Sequence, residues 1–382
     1  MLNRRTLRIK AMQSIFAFQT AKNAEYSIVK KNVEDVFLPD METMEEQDKD
    51  QLAIDQKAAG EAFDKAYKSD LKTIAKDYKE EIIEAVKHGQ VSYKNIISEN
   101  KRAYKKRLLA DTNKIYTQYL SILALPMELL HIAKQERQKK GIETFNLKSN
   151  RILDLISKSK EFEKECLKHN ISWQNNQSEL RTWYKECLRK DETYIEYDEK
   201  ERIGFEDDKQ IVLHIFKKII FKDENIGKFF EEKDLNWSEN SSILKSMVAK
   251  SIKSFESEND ELILMALSKN WDEDLLFLKE IFDYTVSNEE DYELIIAEKS
   301  KNWDIDRVAL TDKIILEMAV AEMLNFPSIP VKVTINEYIE LSKLYSTPKS
   351  KQFVNGILDV LSEELKLDGK IKKSGRGLLD NK

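Results

Sequence analysis

The stretch "SKQFVNGILDVLSEEL", residues 350–365, decides which class of fold the sequence predicts. Its Asn355-Gly356 dipeptide is typical of tight β-hairpin turns, because both residues tolerate positive φ. The apolar residues around it instead recur at i, i+3, i+4, i+7 and i+11, which is the spacing of one helical face. These residues are Val354, Ile357, Leu358, Leu361 and Leu365. We therefore predict a helix that runs through Gly356, and since glycine costs about 1 kcal/mol in a helix interior, we expect a closely packed neighbouring helix or a ligand at that position.

The composition of the chain extends this prediction to the whole protein. Of its 382 residues 35% are charged, and only 9 Gly and 5 Pro interrupt long runs rich in Lys, Glu, Leu, Ile and Ala. Such runs are typical of long, surface-exposed helices. We predict an all-α protein. The net charge of −6 argues against binding of nucleic acid by bulk charge, so that any such partner requires a local basic patch.

Several kinds of partner are not indicated by the sequence. No apolar run is long enough to span a membrane, and the basic N-terminal stretch is too polar for a signal peptide, so we expect a cytoplasmic protein without a membrane partner. Cys166 and Cys187 have no Cys or His at metal-ligand spacing. We therefore expect no metal site, no cofactor and no disulfide framework.

Local signals predict where several helices begin and end. Thr311 is placed to cap one helix, and Thr334 with Glu337 forms a T-x-x-E capping box that opens the next. Thr347 followed by Pro348 opens the helix of residues 350–365. Upstream, we predict helix breaks near Gly89, near Leu125-Pro126, near Gly141 and within residues 170–179.

A possible internal repeat is visible in the middle of the chain. Ile215-Phe216 and Asn236-Trp237 recur 66 residues later as Ile281-Phe282 and Asn302-Trp303. A duplicated helical hairpin explains the pattern. Chance similarity in a Lys- and Glu-rich chain is the alternative.

Residues 302–360 resemble the C-terminal half of the NusB transcription antitermination factors. The resemblance rests on a W-x-h-D-R segment (h, apolar), a D-x-h-I-L helix, a P-x-K-V-x-I-N-E helix and a K-F-V-N-G-h-L-D-like helix, in this order. "RRTLRIKAMQSIFAFQ" resembles the opening helix of the family, and "LLFLKEIFDYTVSNEEDYELII" its middle helices. Glu317 stands where the family more often has Arg, and Gln352 where it has Lys or His.

The resemblance implies a division of the chain into five segments around a NusB-like bundle of two helical subdomains. Family members are usually far shorter, so that a long, charged, helical insertion of unknown role follows the first helix. The predicted segments are a first helix (1–35), the insertion (36–205), helical hairpins (206–300, of which 270–300 is NusB-like), a C-terminal subdomain (301–365) and a basic flexible tail (366–382).

The resemblance also implies a function. NusB factors are non-enzymatic RNA-binding proteins that join a ribosomal protein, NusE, on single-stranded boxA-type RNA and help RNA polymerase to read through ribosomal RNA operons. The residue types at the starts of the first and last helices fit this function, because a single strand is held by cations along its phosphates and by aromatic rings that stack on its bases. The candidate RNA-binding residues are Arg4, Arg5, Arg8, Gln13, Phe16, Lys349, Lys351, Phe353 and Asn355. Candidate partner contacts are Asp312 and Lys313, and candidate structural residues are Gly356, Thr334 and Glu337.

At Gly356 we favour close helix packing over a ligand, and we leave Asn355 open between a contact across that packing and RNA. Phe16 is as well explained by a core position as by base stacking. The basic run Arg102–Arg107, which includes Tyr104, is better explained by the solvent-exposed face of a helix than by a nucleic-acid-binding stripe.

Two other functions compete with RNA binding. An enzyme is disfavoured, because the sequence has no G-x-G-x-x-G, P-loop or H-E-x-x-H motif and its four histidines are scattered. The glycine-rich cofactor loop of RNA cytosine methyltransferases, to which NusB-like domains are also fused, is missing. The second alternative is a helical protein-interaction scaffold or ribosome-assembly factor with weak or no RNA binding. Net acidity favours it, whereas the cationic first turn and Lys349 and Lys351 disfavour it.

Overall fold

A computed structural model of the chain describes residues 2–40, 47–69, 71–141, 144–299 and 308–381. These residues form helices and contain no strand, which confirms the predicted all-α class. The α-helices are α1 (Arg4–Asp35), α2 (Lys49–Lys68), α3 (Leu71–Ile74), α4 (Glu80–Gln138), α5 (Arg151–Lys158), α6 (Lys160–Lys168), α7 (Gln177–Trp183), α8 (Glu192–Glu199), α9 (Phe205–His214), α10 (Glu224–Lys233), α11 (Trp237–Lys253), α12 (Trp271–Ser287), α13 (Glu289–Lys299), α14 (Leu310–Asn325), α15 (Val331–Tyr345) and α16 (Ser350–Leu367). None of the described helices is both long and apolar enough to cross a bilayer.

Helix α4 corrects two predicted helix breaks. It runs for 59 residues and contains both Gly89 and Pro126, so that the breaks predicted at these positions are wrong. Proline removes a single backbone hydrogen bond, and the turns on either side of Pro126 remain helical. The break at Gly141 is confirmed, because α4 ends at Gln138 and Gly141 adopts a φ of +71°. A break within residues 170–179 also exists, between α6 and α7.

The chain forms two compact units, of which unit 1 comprises Met1–Arg4 and Ala110–Asp274. Part of its core is an aromatic cluster in which the ring centroids of Trp173 and Trp183 lie 5.9 Å apart and those of Phe230 and Trp237 4.4 Å apart. A buried polar network adds to it, since Tyr197 donates to the carboxylate of Asp208 over 2.6 Å. Unit 1 therefore has a core of its own.

Unit 2 comprises Arg5–Leu109 and Leu275–Lys382 and is centred on α14. Every residue of α14 from Ile314 to Met323 is buried, which is the pattern of a helix surrounded by others. Helices α13, α15 and α16 pack against α14. On α16 the predicted apolar stripe is confirmed, because Val354, Leu358 and Leu361 are fully buried.

Helix α1 contributes to two parts of the core of unit 2. Near its middle, Phe18 contacts Phe282 of α12 at a centroid distance of 6.5 Å. Toward its end, Val29 and Val33 join a cluster with Phe63 of α2 and with α4. Helix α1 therefore packs against α12. The later part of α1 also packs against α2 and α4, which follow it in sequence.

Two predicted helix starts are wrong. Helix α14 begins at Leu310 with Ala309 as its N-cap, and α15 begins at Val331 after Pro330, so that Thr311 and Thr334 lie inside these helices. Pro330 has a φ of −60°, and proline favours the position just before or at a helix start because it lacks an N–H to satisfy.

The structure also bears on the predicted flexible tail and on part of the predicted repeat. Where a flexible tail was expected, residues 375–381 form a 3₁₀-helix, and the backbone N–H of Ser374 donates to the carbonyl of Pro327 over 3.0 Å.

Of the predicted repeat, Ile215-Phe216 and Ile281-Phe282 are all buried in helices. Asn302-Trp303 and the W-x-h-D-R segment lie outside the described residues, and the repeat stays a prediction.

Candidate nucleic-acid interface

Arg8 forms a buried ion pair instead of presenting its charge to solvent. Its side chain is 3% exposed, and its Nε and Nη2 each donate to a carboxylate oxygen of Glu322 over 2.7 Å. The guanidinium also lies 5.3 Å from the ring centroid of Phe277. Burial lowers the pKa of Arg8, but the charge and hydrogen bonds of Glu322 outweigh burial and raise it. Arg8 therefore joins α1 to α14 and is not accessible to a phosphate.

Glu322 is the centre of a network that sequence reasoning missed. Besides Arg8 it accepts hydrogen bonds from Thr334 over 2.8 Å and from Tyr338 over 3.2 Å, both on α15. Thr334 therefore contacts α14 through this hydrogen bond and does not form the predicted capping box. No local signal marks Glu322, because its cation stands 314 residues away in sequence.

Arg5 and Arg4 also have acidic partners, each within its own unit. In unit 2, Arg5 forms a two-pronged pair with Glu337, with both N···O distances 2.8 Å. These hydrogen bonds lower the pKa of Glu337. The Arg5 side chain remains 46% exposed. In unit 1, Arg4 pairs with Glu273 and with Asp274, the latter over 3.3 Å.

The charges of one first-helix cation and one last-helix cation both affect the same glutamate of α15. The hydrogen bond from Lys343 lowers the pKa of Glu340, and the charges of Arg5 and Lys351 lower it further. Arg5 of α1 and Lys351 of α16 therefore act on one carboxylate of α15. Both cations, and Lys349, are exposed, but acidic side chains lie among them.

The predicted aromatic and amide groups have different environments. Phe16 is 41% exposed on α1, whereas Phe353, which was predicted to bind RNA, is 9% exposed and belongs to the core. Gln13 is half-buried. Asn355 is half-buried and donates to Asp359 of its own helix over 2.9 Å. Phe16 is therefore the predicted ring that is available for stacking.

The packing role predicted for Gly356 is wrong. Outside its own helix backbone and chain neighbours, a Cβ atom built at this position meets no atom of the described residues within 4 Å, and the residue is exposed. The helix passes through Asn355-Gly356 because the flanking apolar residues are buried on the opposite side. At Gly89, by contrast, such an atom would lie 2.4 Å from the Cγ2 of Val33. The close helix approach therefore occurs at Gly89, between α4 and α1.

The candidate partner contacts also take part in internal contacts of unit 2. Asp312 is buried and accepts a hydrogen bond from Ser350 over 2.6 Å, which fixes the start of α16. Lys313 pairs with Glu293 of α13, and its side chain remains 33% exposed. Of the two, Lys313 is thus the accessible one.

Glu317 is a buried carboxyl group on α14. It is fully buried, and neither of its oxygens has a hydrogen-bond partner among the described residues. Burial raises its pKa to about 8, the carboxylates of Glu289 and Glu293 act in the same direction, and Lys313 and Lys22 oppose them. Around neutral pH the carboxyl therefore holds its proton.

Comparisons with known proteins identify the C-terminal region. The model of the NusB family matches residues 241–363. The transcription antitermination protein NusB of Chloroherpeton thalassium is 46% identical over 104 residues, which are 27% of this chain and 49% of the relative. The protein of the same name from Salinibacter ruber is 41% identical over 103 residues, which are 27% of this chain and 64% of the relative.

The chain thus spans about half to just under two thirds of the length of these curated relatives. A solved structure of T. maritima NusB, 24% identical, aligns over 41% of this chain and 90% of its own, with a TM-score of 0.23. Residues 241–363 therefore match the NusB family, and a long additional region precedes them in this chain.

Proposed function

We propose that this chain is a non-enzymatic, RNA-binding transcription antitermination factor. In this proposal it acts with the ribosomal protein NusE on single-stranded boxA-type RNA of ribosomal RNA operons, and it reaches the RNA polymerase complex indirectly. The observation that carries the proposal is the match of residues 241–363 to the NusB family, whose curated relatives bear the name transcription antitermination protein.

The packing of unit 2 supports the proposal. The Arg8–Glu322 pair connects α1 to α14, so that the cation-bearing first helix is part of the same core as the helices of the family domain. Arg5, Lys349, Lys351 and Phe16 are exposed and could contact RNA, and Lys313, which is half-buried, could contact the ribosomal partner.

A titration of the full chain with a labelled boxA-type oligonucleotide, with and without the ribosomal partner, tests the proposal. We expect tighter binding of this RNA than of a scrambled RNA of equal length, and a further gain in affinity with the partner. Equal affinity for both RNAs in both settings would contradict the proposal.

A scaffold with weak or no RNA binding is the second candidate. It is favoured by the acidic partners of the first-helix cations, because Arg8 is buried against Glu322 and Arg5 is paired with Glu337. In that case the titration gives no RNA binding, while the ribosomal partner still binds. Retention of the partner on the immobilised chain without RNA distinguishes this outcome.

A further inference from the structure

A cavity of about 520 Å³ in unit 2 has an aromatic wall that the family match does not include. It opens where α1, α2, α4 and α12–α13 meet. Phe18, Phe63 and Tyr93 form its apolar part and are at most 8% exposed, whereas Tyr67 is 49% exposed. The ring of Tyr67 is held by edge contacts with Tyr26 and Tyr93, at centroid distances of 4.8 and 5.9 Å. An exposed but fixed aromatic ring therefore stands at this cavity.

One face of α4 adds cations to the same cavity. Lys94 and Lys101 both line it and stand seven residues apart, which is two helical turns or about 10 Å along the axis. Lys94 is exposed, and the Nζ of Lys101 donates to the neutral hydroxyl of Ser287 over 2.5 Å. Neither lysine forms an ion pair with a carboxylate of the described residues, so that both keep their positive charge available.

The acidic side chains at the cavity offset only part of this charge. Glu289 is neutralised by Lys22, whose Nζ lies 2.8 Å from its carboxylate. Glu290 is exposed and remains as one negative charge against the two lysines. The open part of the cavity therefore carries a positive excess beside an aromatic ring.

We propose that this cavity binds one or two nucleotides of single-stranded RNA, with a base on the ring of Tyr67 and phosphates at Lys94 and Lys101. Stacking on an aromatic ring together with cations along the backbone is how proteins hold single strands. An acidic peptide could form ion pairs with the lysines, but its carboxylates would provide no planar ring to stack on the aromatic wall. The inference rests on the proposed RNA-binding function and extends it to the additional region, since Tyr67, Lys94 and Lys101 all precede residue 241.

The test uses the full chain and fluorescence anisotropy with a boxA-type RNA at several salt concentrations. For Lys94→Gln/Lys101→Gln we expect weaker binding and a log K against log salt slope that is less steep by about 1.4, because each phosphate contact to a single strand contributes about 0.7. The matched control is Lys57→Gln/Lys87→Gln, which removes two exposed lysines of the same unit that do not line the cavity. This control should bind as the wild type does.

Variants of Tyr67 test the stacking separately. Tyr67→Ala should weaken binding about 5- to 150-fold without a change in the salt slope, whereas Tyr67→Phe should retain the affinity. RNA that carries 5-iodouridine should give a photo-crosslink at Tyr67. Circular dichroism of each variant, and the retained affinity of Tyr67→Phe, separate lost contacts from lost folding.

The outcomes distinguish this inference from the proposed function. If the wild type binds RNA and both the lysine and the Tyr67→Ala variants bind equally well, the cavity site is wrong and the proposed function stands. If the wild type binds no RNA with or without the ribosomal partner, both are wrong. If RNA binding is unchanged in the variants but a polyglutamate peptide no longer binds to the lysine variant, the cavity belongs to an acidic protein segment and the inference is overturned.

Discussion

Arg8 and Arg5 stand one turn apart on α1, and both pair with carboxylates of unit 2, but burial makes their contributions to stability different. Replacement of Arg8 with Met leaves Glu322 buried without its cation, and we expect a loss of about 3–5 kcal/mol in the free energy of unfolding. Arg5→Met breaks an exposed pair and should cost at most about 1 kcal/mol. Urea unfolding followed by circular dichroism measures both.

A second variant tests the physical reason for the loss at Arg8. In Arg8→Met/Glu322→Leu no charge of the pair remains buried, so that much of the lost stability should return. Similar unfolding midpoints for Arg8→Met and Arg5→Met would contradict the buried ion pair.

Glu317 predicts a pH dependence of stability. The folded state keeps its proton up to a pKa of about 8, whereas the unfolded chain loses it near the ordinary value of 4.5. Between these two values the folded state binds more protons, so that the free energy of unfolding falls as pH rises, by about 1.4 kcal/mol per pH unit. Glu317→Gln, which stays neutral, should remove this fall.

The measurement for Glu317 is a series of urea unfolding curves from pH 5 to pH 9. Glu84→Gln, which changes an exposed carboxylate of α4, is the control and should leave the slope as in the wild type. An equal slope in the wild type and in Glu317→Gln would contradict a neutral, buried carboxyl.

Two helical glycines predict opposite effects of the same substitution. Gly356→Ala adds a methyl group into open space and removes the flexibility of glycine from a helix, so that it should stabilise the protein by about 0.5–1 kcal/mol. Gly89→Ala places the methyl group 2.4 Å from Val33 and 3.1 Å from Phe63, and overpacking of this kind costs about 1–3 kcal/mol. Thermal melting of the two variants compares them. A lower Tm for Gly356→Ala would show a close neighbour at that position after all.

At the scale of elements, α1 is the helix on which unit 2 depends. Leu7, Ala11 and Ile15 are fully buried, and Val29 and Val33 nearly so. A chain without residues 1–35 should therefore expose two apolar surfaces at once. We expect it to bind the dye ANS and to lose the cooperative unfolding transition of unit 2, and co-expression of a 1–35 fragment should reverse both changes. Cooperative unfolding of the shortened chain without the fragment would contradict this role of α1.

Helical periodicity predicted the element types well, because the burial of one face follows directly from the spacing of apolar residues. The stripe of Val354, Leu358 and Leu361 is an example. Local capping signals were less reliable. The hydroxyl of Thr334, which the T-x-x-E pattern assigns to a helix start, instead bonds to Glu322. Thr334 thus bonds to a residue of another helix and not to the first turn of its own helix.

The candidate site was less predictable than the fold. The sequence shows that Arg4, Arg5 and Arg8 are cations, but not that each meets a carboxylate, because these partners lie 269 to 332 residues away along the chain. Whether Phe16 or Phe353 is exposed depends in the same way on helices that are distant in sequence. An exposed Phe16 and a buried Phe353 follow from packing and not from any local pattern.

At the scale of the whole molecule, electrostatics favours RNA binding by local patches. The net charge is −6, and cations such as Arg8, Lys22 and Lys105 are paired with carboxylates inside unit 2. Exposed cations beside aromatic rings are then the places where a polyanion is attracted. Lys94 and Lys101 beside Tyr67 are one such place.

The Arg8–Glu322 pair has a consequence for synthesis on the ribosome. At about 5–20 residues per second, the 314 residues between the two partners correspond to a delay of about 15–60 s. The later half of α1 can be covered early by α2 and α4, because Val29 and Val33 pack on helices that are translated soon after it. In the earlier half, Arg8 pairs with Glu322 of α14 and Phe18 contacts Phe282 of α12, so that these contacts form only after the later helices have been translated. For most of translation this face of the nascent chain is an apolar surface to which holding chaperones can bind.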